Sequence, residues 1–174
     1  MKINLKYITT ASLIAAIYAA LTFFGNFFGL SYGPIQVRFS EVLTILPLFT
    51  PAAIPGLTIG CFISNIASFN LLDMVFGTFA TLIAALFTYY LRNIKIKNFP
   101  LLAFFPPVIV NAIIIGLELA IFLPSGSFSF YGFLIYALQV GFGQIIACFV
   151  LGIPFYFTLK KTKLDNSFIF KTGE

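Results

Sequence analysis

The stretch from Leu72 to Lys97, LDMVFGTFATLIAALFTYYLRNIKIK, decides the fold. From Leu72 to Leu91 it carries a single charge, Asp73, at its start, and it then turns abruptly basic at Arg92, Lys95 and Lys97. An apolar run of this length matches the ~20 residues a helix needs to cross a ~30 Å hydrocarbon core. The basic cluster at its end is the mark of a segment retained on the cytoplasmic side of a membrane.

The same pattern extends in both directions. Of 174 residues, 60% are hydrophobic and only 9% charged, against about 25% charged in an ordinary soluble domain. A water-soluble fold of this size has too little interior to hide that much apolar surface. Apolar runs predict helices at about 7–24, 36–50, 53–70, 72–91, 99–123 and 130–159, forming one membrane domain over residues 1–174. The second run is short for a span, and Pro47, Pro51 and Pro55 crowd its far end, so it is expected to be kinked or only partly spanning. The first run exceeds the 7–15-residue core of a signal peptide, so it reads as a span.

Lys2 and Lys6, the Arg92–Lys97 cluster, and Lys160, Lys161 and Lys163 all face one side only if the number of spans is even. The expectation is an all-α integral membrane bundle of six helices in the cell membrane, with both termini cytoplasmic. The net charge of +5 therefore reflects membrane orientation and predicts no nucleic-acid partner. Cys61 and Cys148 fall within apolar runs and read as small hydrophobes.

The chain has no histidine, no Gly-x-x-x-x-Gly-Lys-Ser/Thr loop and no paired carboxylates at metal-binding spacing. These features argue against an enzyme, and no metal or cofactor is expected. If the protein moves a solute, the driving power comes from elsewhere.

Ionisable and amide side chains inside apolar runs are costly and usually face the bundle interior. They are Arg38, Glu41, Asn65, Asp73, Asn111, Glu118, Gln139 and Gln144. Most converge at the outer end under the six-span topology, as expected of a solute-capture site. Arg38 and Glu41, three residues apart, are expected to form a rim ion pair. Asp73 at a helix start suits either capping or ligand contact. Glu118 has no basic neighbour within a turn and is the first choice for ligand contact. Asn111 lies seven residues away on the same helical face. Asn65, Asn111 and Gln139 are candidate amide donors, and Gln144 is assigned to packing. Phe69, Phe130 and Tyr131 offer flat surfaces for stacking. Ala11, Ala15 and Ala19 form a smooth ridge on the first helix, with Ser12, Ala16 and Ala20 beside it, open to close packing within the bundle or against a partner.

The run Gly33-Pro34-Ile35-Gln36-Val37-Arg38-Phe39-Ser40-Glu41, followed by Leu43-Thr44-Ile45-Leu46-Pro47, resembles the hallmark segment of the QueT family. Asn65 and the run Asp73-Met74-Val75-Phe76-Gly77 are similarly placed, and the likeness covers about residues 11–159. The resemblance implies a substrate-binding S component of an energy-coupling factor (ECF) transporter. Such a subunit has six helices, an outer ligand site covered by the loop after helix one, and no ATPase of its own. Its implied ligand is a queuosine precursor of the deazaguanine type. Its implied partners are a transmembrane coupling subunit and two ATPase subunits, with the alanine ridge docking on the first. An S component for another vitamin-like heterocycle and a membrane scaffold without ligand are the alternatives.

Overall fold

A computed structural model describes residues 5–27, 38–67, 71–122 and 128–162. They form six successive helical crossings. These are α1 (Leu5–Phe27), a 3-10 helix (Phe39–Leu48), α2 (Ala53–Ala67), α3 (Leu71–Leu91), a short 3-10 turn (Leu101–Phe104) leading into α4 (Phe105–Phe122), and a continuous rod. The rod comprises α5 (Phe130–Ile145), a π-helical segment (Ile146–Leu151) and α6 (Gly152–Lys161). Four of the crossings, α1, α3, the α4 unit and the rod, are long and apolar enough to span a membrane. Large apolar residues such as Phe79, Leu138 and Val150 are exposed around the bundle, where lipid would cover them.

The second crossing differs from an ordinary span in its winding. At about 2.0 Å per residue a 3-10 helix covers a third more length than an α-helix, so this short, proline-containing run still reaches well into the bundle. The rod widens near Pro154, whose missing N–H leaves one carbonyl of the preceding turn without its usual helical donor. The π segment relieves that conflict, and Gly152 passes close to Ile45 and the Ala147 carbonyl just beyond it. Pro106 and Pro107 sit in the first turn of α4, where the absent N–H costs nothing.

Two seams of small residues set the packing. Gly56 and Gly60 of α2 face the alanine ridge of α1. A Cβ on Gly56 would lie 2.8 Å from the Ala11 carbonyl oxygen, and one on Gly60 would lie 2.9 Å from that of Ala15. Without a strong hydrophobic force between helices in lipid, such close approach supplies the attraction through dispersion. On the other side, a Cβ on Gly116 of α4 would lie 2.9 Å from the Ala137 Cα of α5, and Gly141 packs against Ala112.

The first seam corrects one expectation. Ala11, Ala15 and Ala19 are buried against α2 inside the chain and present no free docking surface. Their neighbours Ser12, Ala16 and Ala20 are the exposed small residues of α1.

The bundle has two unlike ends. Arg38, Asn65, Asp73 and Glu118 lie at one of them. At the other, Tyr7 donates to the Pro51 carbonyl, and Phe49, Phe99, Phe104, Phe149 and Tyr156 form a ring cluster with centroids 5.3–6.0 Å apart. The first and last described helices both have their outer chain ends, Lys6 and Lys160, on this aromatic side.

Candidate functional site

The polar end is built around Arg38. This residue precedes the 3-10 helix in extended conformation, with φ −90° and ψ 112°. Its side chain therefore does not follow the helical i, i+3 row toward Glu41. It crosses instead to α3, where a guanidinium nitrogen lies 2.7 Å from Asp73 Oδ2. The expected Arg38–Glu41 rim pair is thus replaced by an Arg38–Asp73 pair between elements 35 residues apart.

Glu41 is satisfied elsewhere. It is buried, and its Oε1 accepts a hydrogen bond from the Tyr18 hydroxyl of α1. Its Oε2 is buried without a hydrogen-bond partner among the described residues. A buried carboxylate oxygen left unpaired costs ~1–3 kcal/mol or more, which makes it a position seeking a donor. Thr22 donates to Ser40 across the same α1 interface at 2.8 Å, fixing the start of the 3-10 helix beside α1.

Asn65 and Glu118 close around Asp73 from two other helices. The Asn65 side-chain amide donates to the Asp73 backbone carbonyl at 2.9 Å, ahead of the rest of α3. Gly77 makes this approach feasible, since a Cβ there would sit 3.2 Å from the Asn65 amide nitrogen. Glu118 of α4 is buried near Asp73, and its Oε2 has no partner among the described residues. Arg38 thus pairs with Asp73, while two further buried carboxyl groups, Glu118 and Glu41, each keep an oxygen without a partner among the described residues. Carboxyl groups outnumber cations here, an arrangement whose open oxygens a donor-rich molecule would satisfy.

Beneath Arg38 lies a cavity of about 30 Å³, lined by Arg38, Glu41, Thr81, Asn111 and Gln144 together with apolar neighbours. It has room for about two water molecules. The Asn111 amide donates to the Pro107 carbonyl at 2.8 Å, one turn back on α4, so its second N–H and its oxygen are left for other contacts. Thr81 donates to Gly77 in the same manner at 2.9 Å.

The structure brings together Arg38, Glu41, Asn65, Asp73, Asn111 and Glu118, and leaves other candidates outside. Gln139 is half-buried and does not line the cavity, whereas Gln144 does. Tyr131 and Phe130 are exposed at 80% and 63% and stack over nothing polar in this site. Phe69 and the loop after the first helix, expected to cover the ligand site, lie outside the described residues. Sequence reading missed Tyr18 and Thr81, and assigned Gln144 to packing. For Gln144 a signal was present: Ala137 and Gly141 are the small residues of α5 that face α4, and positions 137, 140, 141 and 144 share one helical face. Tyr18 follows the alanine ridge at helical spacing, and a tyrosine buried to 1% needs a hydroxyl partner.

A curated relative from Lactococcus lactis subsp. cremoris (strain MG1363), the "Queuosine precursor transporter QueT", is 42% identical over 76 residues. That alignment covers 44% of this chain and 45% of the relative, so the chain spans about half the length of the curated protein it matches. No solved structure matches the chain. A family model described as "QueT transporter" matches residues 8–161, nearly the whole of the multi-pass helical bundle. The protein is a multi-pass membrane protein and belongs to the QueT transporter family.

Proposed function

We propose that this protein is the substrate-binding S component of an ECF-type importer, capturing a queuosine precursor of the deazaguanine class at the outer face. The observation that carries the reading is the buried acidic cluster at one end of the bundle, with Glu41 Oε2 and Glu118 Oε2 both unpartnered. A deazaguanine presents two adjacent N–H donors on one edge, which a carboxylate accepts together, and a carbonyl beside them. Glu118 and Glu41 are the carboxylates for that edge. Arg38 is the nearest strong donor for the carbonyl, and the amides of Asn111 and Gln144 lie beside the same cavity. An aminomethyl cation on the ligand suits the acidic balance around Asp73 better than a neutral cyano group does.

The cavity is far below the ~300 Å³ at which ligand pockets begin, so binding requires the polar end to open. Arg38, bonded at its tip to Asp73, is the side chain best placed to swing. Both termini then face the cytoplasm, in accord with the basic residues at that end.

The sequence has no Gly-x-x-x-x-Gly-Lys-Ser/Thr loop, and energy comes from a transmembrane coupling subunit with two ATPases. The exposed stripe Ser12, Ala16 and Ala20 takes the docking role first expected of Ala11, Ala15 and Ala19. Ala16→Leu is expected to abolish uptake while sparing ligand binding. Ala15→Leu is expected to disturb the α1–α2 seam and unfold the protein.

Calorimetric titration of the purified protein with aminomethyl- and cyano-deazaguanine tests the central claim, alongside mass spectrometry of any small molecule that copurifies. Binding of the aminomethyl form, lost in Glu41→Gln/Glu118→Gln, is the expected result. Absence of binding by a well-folded preparation would favour a scaffold instead.

A further inference from the structure

The opposite end of the bundle carries a second and larger cavity, about 260 Å³, that the transport reading does not use. It is lined by Arg92, Asn93 and Lys95 from the α3–α4 connection, Lys160 from α6, and Leu48 and Phe49 from the end of the 3-10 helix. The two sites are well separated: Asp73 and Arg92 stand near opposite ends of α3, about 28 Å apart at 1.5 Å per residue.

Three cations share this cavity, and none of them has a carboxylate partner among the described residues. Glu41, Asp73 and Glu118, the carboxylates of the described residues, all lie at the other end. Two of the cations rest against aromatic rings. The Arg92 guanidinium lies 3.6 Å from the centroid of the Tyr89 ring, which fixes its plane and leaves its N–H edge for another group. Lys160 rests 5.2 Å from the ring centroid of Tyr156, which also lines the cavity. Lys95 sits beside a tight turn in which Lys97 and Asn98 adopt φ of 49° and 65°, closed by paired backbone bonds between Ile96 and Phe99 of 2.9 and 3.0 Å. Two consecutive non-glycine residues in left-handed conformation are costly, and such strain gathers where a loop must present side chains in a set position.

We infer that this cavity is a binding site for a phosphate group, and that its occupant is the headgroup of an anionic phospholipid. Arginine and lysine around one concavity fit phosphate oxygens by charge and by hydrogen-bond number. The apolar part of the lining, Leu48, Phe49 and Tyr156, favours a lipid over a free ion. Basic pockets between membrane helices at the interface are where such headgroups lodge.

Native mass spectrometry of the detergent-purified protein, titrated with phosphatidylglycerol or phosphatidylcholine, reads the site directly. Wild type is expected to retain one phosphatidylglycerol with about tenfold or greater preference over phosphatidylcholine. Arg92→Gln/Lys95→Gln/Lys160→Gln removes that preference. Lys6→Gln/Lys161→Gln, which neutralises two charges at the same end but outside the lining, retains it. Should the triple variant fail to fold, Lys95→Gln on the exposed loop is expected to weaken retention about fivefold by itself. A competition arm with inorganic phosphate separates the sources. Undisplaced lipid assigns the site to a headgroup; displacement, with phosphate binding that the triple variant lacks, assigns it to a soluble phosphate group. No lipid preference in wild type together with no phosphate binding overturns the site. Equal losses in the two multiple variants overturn it as well, since they would reflect diffuse charge.

Discussion

The two ends of this bundle bury different chemistry. At one, the interior is a guanidinium, three carboxyls and three amides from five elements; at the other it is Phe49, Phe99, Phe104, Phe149 and Tyr156 packed ring to ring. Rings need only shape and mutual orientation, and they gain dispersion wherever they touch. Buried charges are stable only as a complete set, because removal of one member strands the rest in a medium that solvates them poorly. The aromatic end can therefore act as a rigid base, while the polar end is poised to exchange its partners for a ligand's.

That contrast is open to direct test, beginning with the largest expected effect. Arg38→Ala removes the guanidinium that pairs with Asp73 and is expected to cost about 3–5 kcal/mol of stability. Arg38→Ala/Asp73→Ala should recover part of it in thermal unfolding in detergent. Equal loss in the single and double variants would mean that the pair contributes little as a pair.

Phe104→Ala, at the buried centre of the ring cluster, is expected to cost about 3 kcal/mol, the lower end of the range for such truncations. Ligand affinity of the folded fraction should stay at the wild-type value. A change in affinity would show that the two ends are coupled through the 3-10 helix that joins them.

Glu118→Gln is expected to weaken deazaguanine binding by about 1–3 kcal/mol, because an amide N–H then faces the ligand's own donors. Its effect on unfolding should be smaller than that of Arg38→Ala. If Glu41→Gln lowers affinity and Glu118→Gln does not, the carboxylate contact belongs to the 3-10 helix.

Asn65→Ala removes the bond to the Asp73 carbonyl and is expected to cost only about 0.6 kcal/mol, the average for interhelical hydrogen bonds within membranes. A loss several times larger, measured by the same unfolding assay, would show that Asn65 positions Asp73 for the Arg38 pair.

Much of this was legible in the chain itself. Each apolar run became one crossing, and the basic residues of Lys6, Arg92, Lys95 and Lys160 ended on one side, because hydrophobic length and charge position are properties of a segment taken alone. The meeting of Asn65, Asp73 and Glu118 at a common end follows from the same alternation of helices. Which groups touch within that end is another matter. Arg38 pairs with Asp73 because its backbone is extended and α3 stands across from it, a relation that spacing between Arg38 and Glu41 does not contain. Gln144 lines the cavity and Gln139 does not because Gly116 draws Ala137 and Gly141 against α4 and so sets the rotation of α5. The alanine ridge of α1 is occupied because Gly56 and Gly60 fit it. Segment hydrophobicity acts through the bilayer, a uniform solvent, and so needs only the sequence; pairings depend on the mutual rotation and register of helices, which small residues at their seams decide in three dimensions.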